Sequence, residues 1–194
     1  QPKVIGLSSV THAARTLRAY AKVLRKACPD AIIVAGGPHP SALAEDTLRQ
    51  SAGEIDLVLK GEAEKTFRFL VEAMPTRGPK GISDGDLRAL PGVAALDQGG
   101  AYFETPGLYT EDIDDYGMPA WELMPPASYP HAPHGAFFTR FPVAPVITSR
   151  GCPYNCGFCS VPQLVGRKMR YRSSDVMLGE LELLKKVYGV QEFQ

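Results

Sequence analysis

The stretch "AIIVAGGPHP", residues 31–40, decides the fold of the first half of the chain. Its apolar run is typical of a strand that is buried on both faces of a sheet. The glycine pair Gly36-Gly37 that follows lets a loop or a ligand approach the backbone closely. Glycine pairs are common after strands, so the pair alone identifies no ligand. Pro38 and Pro40 predict that the next helix begins only near Ser41.

The same pattern continues on both sides of this strand. Further buried strands are predicted at Val4–Ser9 and Ile55–Gly61, with an amphipathic helix over residues 13–27 and another over Glu62–Met74. The second helix is predicted to point Phe67, Leu70, Val71 and Met74 inward. Strands that alternate with helices through short connections predict a parallel sheet covered by helices, which is an α/β fold.

The pattern changes in the middle of the chain. Residues 81–122 carry nine acidic side chains against one basic side chain, and periodicity is weak. We predict a Pro/Gly-rich acidic connector over residues 76–143, with a small hairpin at "AYFETPG". From residue 144 a strand, a loop, a helix capped by Ser173 or Ser174 and another strand follow. The predicted domains are therefore 1–75, 76–143 and 144–194.

Composition excludes some classes of protein. The 194 residues carry 21 basic and 21 acidic side chains, so the net charge gives no sign of a nucleic-acid or membrane-surface protein. No apolar run is long enough for a membrane span, and no signal peptide is visible. Four cysteines, three of them clustered, fit a reducing, cytoplasmic compartment and a metal. The first residue is not methionine, and we expect an internal piece of a longer protein.

A second stretch, "RGCPYNCGFC" at residues 150–159, places Cys152, Cys156 and Cys159 directly after a predicted strand. Thiolates at this density suit iron–sulfur clusters and zinc. A structural zinc site normally needs four protein ligands. The candidates for a fourth ligand are Cys28, His131 and His134. Zinc, a cluster with one open iron and three unliganded cysteines are the alternatives at this point.

The Cys-x3-Cys-x2-Cys spacing, with the aromatic Phe158 before the last cysteine, resembles the radical S-adenosylmethionine family. The resemblance implies a [4Fe–4S] cluster held by Cys152, Cys156 and Cys159, with the fourth iron open to S-adenosylmethionine. Phe158 would pack near the adenine. Reduction by an external donor of the flavodoxin or ferredoxin type would cleave S-adenosylmethionine to a 5′-deoxyadenosyl radical.

The first half of the chain resembles the later part of a cobalamin-binding signature, in which a serine is followed after about two dozen residues by Gly-Gly. The matching residues are Ser8, Gly36 and Gly37, with Val10 where the signature has leucine. The resemblance implies that they line the slot for the dimethylbenzimidazole tail of cobalamin. His39 is interpreted as a loop histidine rather than a cobalt ligand. The turn Gly61-Glu62-Ala63-Glu64 resembles cobalamin-dependent radical proteins, or is simply a helix start favoured by the dipole.

Together the two resemblances imply an α/β chain with part of a Rossmann-like cobalamin-binding domain, followed by the first βα unit of a radical S-adenosylmethionine barrel. The implied activity is methyl transfer to a small-molecule or cofactor-like organic substrate, or oxidative cyclisation, as in anaerobic magnesium-protoporphyrin monomethyl ester cyclase. The alternatives are a domain that has lost cobalamin and a non-enzymatic iron–sulfur or zinc module. Arg170 and Arg172 are either solvated charges or contacts to a ligand carboxylate or phosphate. No catalytic residue is predicted.

Overall fold

The computed structural model describes residues 2–77, 81–130 and 137–194. These residues form two compact units. The first combines the chain up to Tyr109 with Cys152–Arg167, and the second combines Thr110–Gly151 with Lys168–Gln194. The cysteine loop therefore belongs to the same unit as the strands of the first half of the chain.

The first unit is built on a five-stranded sheet in the order β1-β2-β3-β4-β5. The first three strands are parallel, and β4 and β5 continue the sheet in antiparallel fashion. The strands are β1 Val4–Ser8, β2 Ile32–Gly36, β3 Leu57–Leu59, β4 Val93–Leu96 and β5 Tyr102–Glu104. The helices are α1 Ala14–Ala27, α2 Pro38–Ala42, α3 Ala44–Gln50, α4 Glu64–Arg77, α5 Asp84–Ala89 and α6 Val161–Val165.

Both faces of this sheet are covered, as the apolar strands predict. Successive side chains of a strand point to opposite faces. Ile32 and Val34 of β2 therefore join a cluster with Leu70 of α4, while Ile33 joins another with Leu17 of α1. The predicted α/β fold is confirmed, and the inward positions of Leu70 and the partly buried Phe67 are confirmed with it.

Two local predictions are wrong. Helix α2 begins at Pro38 rather than near Ser41, because a proline is well accommodated in the first turn of a helix, where its missing N–H has no partner to lose. Val71 is 43% exposed although it was predicted to point inward. It directly follows Leu70, which is buried, and neighbouring residues of a helix point in different directions.

Part of the predicted connector belongs to the sheet. Strands β4 and β5 lie within residues 76–143 and pair with each other, and β4 pairs with β3. The small hairpin that was predicted around "AYFETPG" is therefore present, but its partner β4 was missed. The segment "VAAL" of β4 is short and rich in alanine, which has little preference for strands. The domain boundaries 1–75, 76–143 and 144–194 themselves stay a prediction.

The second unit contains one parallel pair and one antiparallel pair of short strands. Strand β6 Val143–Ala144 pairs in parallel with β9 Glu192–Phe193, and β7 Ser149–Arg150 pairs with β8 Arg170–Tyr171. Helix α7 Ser174–Lys186 precedes β9 in the chain.

Ser173 caps α7 as predicted, because its hydroxyl accepts a hydrogen bond from Val176 N at 3.4 Å. The predicted order is present in part: the strand expected from residue 144 is divided into β6 and β7, and α6 and β8 lie between the cysteine loop and α7. None of the helices in the described ranges has the length and apolar composition needed to cross a membrane.

Candidate cofactor-binding site

The predicted serine–glycine slot is assembled at the carboxyl edge of the parallel strands. Ser8 and Gly36 are register partners at the ends of β1 and β2, and Ser9 N donates to Gly36 O at 3.0 Å. Gly37 has a φ of +87°, and a Cβ there would lie 2.6 Å from Ser8 Oγ. Only glycine fits this position without a shift in the neighbouring backbone. The structure therefore brings Ser8, Gly36 and Gly37 together, and their role in binding stays a prediction.

Helix α2 leaves this edge directly and is tied to it. His39 N donates to Ser9 O at 3.0 Å, and Ser41 N donates to Gly37 O at 3.0 Å. The His39 side chain is 9% exposed, and its Nδ1 is buried without a hydrogen-bond partner in the part of the chain that is described. His39 therefore lies in a short helix, packed into the protein, rather than in the open loop that the sequence suggested.

The cysteine loop is short and closed by hydrogen bonds. Cys152 N donates to Gly166 O at 3.0 Å, and Cys159 N donates to Cys156 O at 3.1 Å. All three cysteines are free thiols; Cys156 is exposed, and the other two are half-buried. Phe158 is 94% exposed. A large apolar ring at a loop tip is available to contact a bound molecule, as the resemblance implies.

Among the described residues, no group of three Cys, His, Asp or Glu side chains is arranged to hold a single metal ion. A [4Fe–4S] cluster makes a different demand, because each thiolate binds its own iron. Three free thiols on one accessible loop are a suitable donor set for such a cluster.

The three candidates for a fourth ligand lie in different parts of the chain. Cys28 is the C-cap residue of α1, and its carbonyl accepts from Ala31 N just before β2 begins. It therefore lies at the amino edge of the sheet, opposite the slot. His131 and His134 lie outside the described residues.

The slot and the cysteine loop adjoin each other within the first unit. Helix α6, which directly follows the cysteines, packs against α2, which directly follows Gly37. At the same edge, Lys60 Nζ donates to Glu104 Oε2 at 2.7 Å. The hydrogen bond from Lys60, together with one from Tyr102, lowers the pKa of the Glu104 carboxyl.

Arg170 and Arg172 lie in the second unit, and neither is a solvated charge. Arg170 is buried, and its Nη1 donates to Thr110 O at 2.8 Å. Arg172 forms a buried ion pair with Glu180, whose other carboxylate oxygen accepts from Trp121 Nε1 at 2.9 Å. Arg170 and one nitrogen of Arg172 are thus held by the protein itself, whereas Nη2 of Arg172 is buried without a hydrogen-bond partner in the described part of the chain. The contact to a ligand carboxylate or phosphate stays a prediction.

The burial of Glu180 was not predicted from the sequence. It occupies the position between Val176 and Leu184 on the inward stripe of α7, where an apolar residue would be expected. A charged residue in such a stripe, with an arginine nearby in the chain, is a signal that could have identified the pair.

Comparison with known proteins gives a family match for the first part of the chain. Residues 1–71 match the family described as the B12 binding domain. The fold is shared with the solved structure of the cobalamin-dependent S-adenosylmethionine radical enzyme OxsB with aqua-cobalamin and S-adenosylmethionine bound. That match has a TM-score of 0.71 and 18% identity and covers 98% of this chain and 25% of that one.

Curated relatives extend the similarity beyond the first domain. A protein of Pyrococcus horikoshii named as an uncharacterized methyltransferase is 31% identical over 194 residues, which is all of this chain and 39% of that protein. The hopanoid C-3 methylase of Methylococcus capsulatus is 30% identical over 86% of this chain and 29% of its own length. The anaerobic magnesium-protoporphyrin IX monomethyl ester cyclase of Rubrivivax gelatinosus is 28% identical over 100% of this chain and 33% of its own length.

These findings agree with the resemblance that the two motifs predicted: residues 1–71 match the B12 binding domain, the fold is shared with a cobalamin-dependent S-adenosylmethionine radical enzyme, and the whole chain is similar to a methyltransferase and a cyclase. It spans between 29% and 39% of the length of the three curated relatives.

Proposed function

We propose that this chain is the cofactor-binding part of a cobalamin-dependent radical S-adenosylmethionine enzyme that methylates or oxidatively cyclises an organic molecule. The observation that supports the proposal is that three free thiols with the spacing of the motif belong to the same compact unit as the serine–glycine slot, where α6 packs against α2. The match of residues 1–71 to the B12 binding domain supports the cobalamin half of the proposal.

The cysteine loop provides the ligands and one wall of the first cofactor site. Cys152, Cys156 and Cys159 would hold three irons of a [4Fe–4S] cluster, and the exposed ring of Phe158 would cover the adenine of S-adenosylmethionine. When bound, such a cluster supplies the electron that cleaves S-adenosylmethionine to a 5′-deoxyadenosyl radical. The hydrogen bond from Cys152 N to Gly166 O fixes the first ligand at the base of the loop.

The carboxyl edge of the sheet provides the second site. Ser8, Gly36 and Gly37 would accept the nucleotide tail of cobalamin, because the glycines leave the backbone bare and Ser8 presents a hydroxyl beside them. Bound cobalamin would supply a methyl group or participate in oxidation. Carboxyl ends of parallel strands are the usual place for ligands in α/β proteins.

The two reactions are proposed from the names of the relatives and not from the residues of the site. The similar proteins include a methylase, a methyltransferase and a cyclase, so both reactions belong to the proposal. The proposal also includes a small-molecule or cofactor-like substrate, an external electron donor of the flavodoxin or ferredoxin type and a cytoplasmic location.

Anaerobic reconstitution of the full-length protein tests the cluster. We expect about four irons and four sulfides per chain and an electron paramagnetic resonance signal that changes when S-adenosylmethionine is added. Replacing Cys152, Cys156 or Cys159 by Ala should abolish the change, whereas Cys28→Ala is the matched control and should keep it. One zinc per chain, or no 5′-deoxyadenosine formed with reductant, would contradict the proposal.

Cobalamin is tested separately on the same protein. After incubation with cobalamin and gel filtration, the cobalamin absorbance bands should elute with the protein. A protein that holds the cluster but loses these bands would show that its first domain serves only as a scaffold.

A further inference from the structure

Helix α6 rests on the turn after β3 through a glycine. Gly61 has a φ of +67°, and a Cβ at this position would lie 2.9 Å from the carbonyl oxygen of Leu164 in α6. Backbone atoms cannot yield as a flexible side chain does, so any larger residue at position 61 would displace α6. The absence of a side chain at Gly61 is what permits this close approach.

Tyr109 holds the other end of the same segment. Its ring atoms lie 3.4 to 3.5 Å from where a Cβ of Gly166 would be, and its hydroxyl donates to Gln163 O at 3.1 Å. Gly166 in turn accepts the hydrogen bond from Cys152 N at 3.0 Å. The position of the first cysteine thus depends on Gly166, and the position of Gly166 depends on Tyr109.

A cavity of about 130 Å³ lies beside these contacts, lined in part by Ser41, Lys60 and Gln163. Helix α6 therefore does not fill the space next to the sheet edge. Gly61 and Tyr109, which contact this segment, also line the cavity.

We propose that Gly61, Tyr109 and Gly166 form a clasp that positions the cysteine loop against the carboxyl edge of the sheet. These are positioning residues, since they act through Cys152 and α6 and not on a reacting atom. The inference rests on the proposed function and adds to it: the clasp fixes the cluster beside the cobalamin slot, because α6 also packs against α2.

The test compares four variants of the full-length reconstituted protein. Gly61→Ala introduces the clash, and Gly100→Ala is its control, because Gly100 also has a positive φ of +80° but no atom within 4 Å of its would-be Cβ. Tyr109→Ala removes the ring from Gly166, whereas Tyr109→Phe keeps it. The readouts are the rate of iron release to a chelator and the electron paramagnetic resonance signal with S-adenosylmethionine.

We expect Gly61→Ala and Tyr109→Ala to lower the affinity for the cluster irons by about tenfold, the low end of the loss seen when groups that orient metal ligands are mutated, and so to release iron faster than wild type. Both should also change the signal with S-adenosylmethionine, while Gly100→Ala should behave like wild type. Tyr109→Phe keeps the ring on Gly166 but loses the hydrogen bond to Gln163 O, so its release rate should lie between those of wild type and Tyr109→Ala. If Gly61→Ala fails to fold, Tyr109→Ala carries the test.

Equal release rates and identical signals in Tyr109→Ala and wild type would overturn the clasp. A wild-type protein that assembles no cluster would overturn the proposed function instead.

Discussion

Replacing Gly37 by alanine tests the geometry of the slot. The backbone there has φ +87° and ψ −177°, a region that is essentially restricted to glycine and costs other residues about 1–3 kcal/mol. The new Cβ would lie 2.6 Å from Ser8 Oγ and 3.0 Å from Ser9 N and O. Overpacking of this kind costs about 1–3 kcal/mol more. We therefore expect Gly37→Ala to lower the free energy of unfolding by about 2–6 kcal/mol.

The matched control is Gly53→Ala. Gly53 has nearly the same φ, +88°, but a Cβ there would meet no atom of the described residues within 4 Å. Gly53→Ala should therefore lower the free energy of unfolding by only about 1–2 kcal/mol, the penalty for a left-handed conformation. Urea unfolding of both variants measures the difference, and equilibrium cobalamin binding should weaken only in Gly37→Ala. If the two variants lose the same stability and bind cobalamin equally, the close approach at Gly37 has no energetic importance and the reasoning fails.

Three further predictions concern the surroundings of the sites. Glu180→Ala leaves the buried guanidinium of Arg172 without its carboxylate and should cost about 3–5 kcal/mol in urea unfolding. Glu104→Gln should cost less than about 1 kcal/mol at neutral pH, since the pair with Lys60 is half-exposed. Because the pKa of Glu104 is lowered in the folded chain, this pair stabilises above the unfolded-state pKa of the carboxyl, and the difference from wild type should disappear as the pH falls through the folded-state pKa. Leu70→Ala empties a site that is 1% exposed and should cost about 2–5 kcal/mol by thermal or urea unfolding.

Each of these predictions has an outcome that contradicts it. If Glu180→Ala leaves the free energy of unfolding unchanged, water or another group has replaced the carboxylate as the partner of the Arg172 guanidinium. A Glu104→Gln difference that grows in acid would show that the carboxyl is not held in its charged form. A loss of less than 1 kcal/mol in Leu70→Ala would place that side chain outside the core.

The parallel part of the sheet could be predicted because each strand is a compact apolar run. A strand that is buried on both faces needs no alternation of polar and apolar residues. The continuous apolar run in "AIIVAGG" therefore predicts a buried strand without reference to the rest of the sequence. The slot follows from the same logic, since parallel strands end at one edge. Ser8 and Gly36 are almost thirty residues apart in sequence but are register partners in the sheet.

The rest of the fold and of the site depends on tertiary contacts for which the local sequence carries no signal. "VAAL" becomes a strand only because β3 offers it an edge, and Tyr109 reaches Gly166 across more than fifty residues of chain. Propensity and periodicity describe neighbours in sequence, and these residues are neighbours only in space.

The hairpin of β4 and β5 also affects how the molecule meets other chains. Without it, the fully apolar strand β3 would present a row of unpaired backbone groups, which is a template for intermolecular strand pairing. The edge on this side of the sheet is instead β5, a strand of only three residues whose Glu104 is charged and held by Lys60; β1 forms the other edge. A short, charged edge is a poor template for aggregation, so the hairpin protects this side of the sheet from pairing with another copy of the chain.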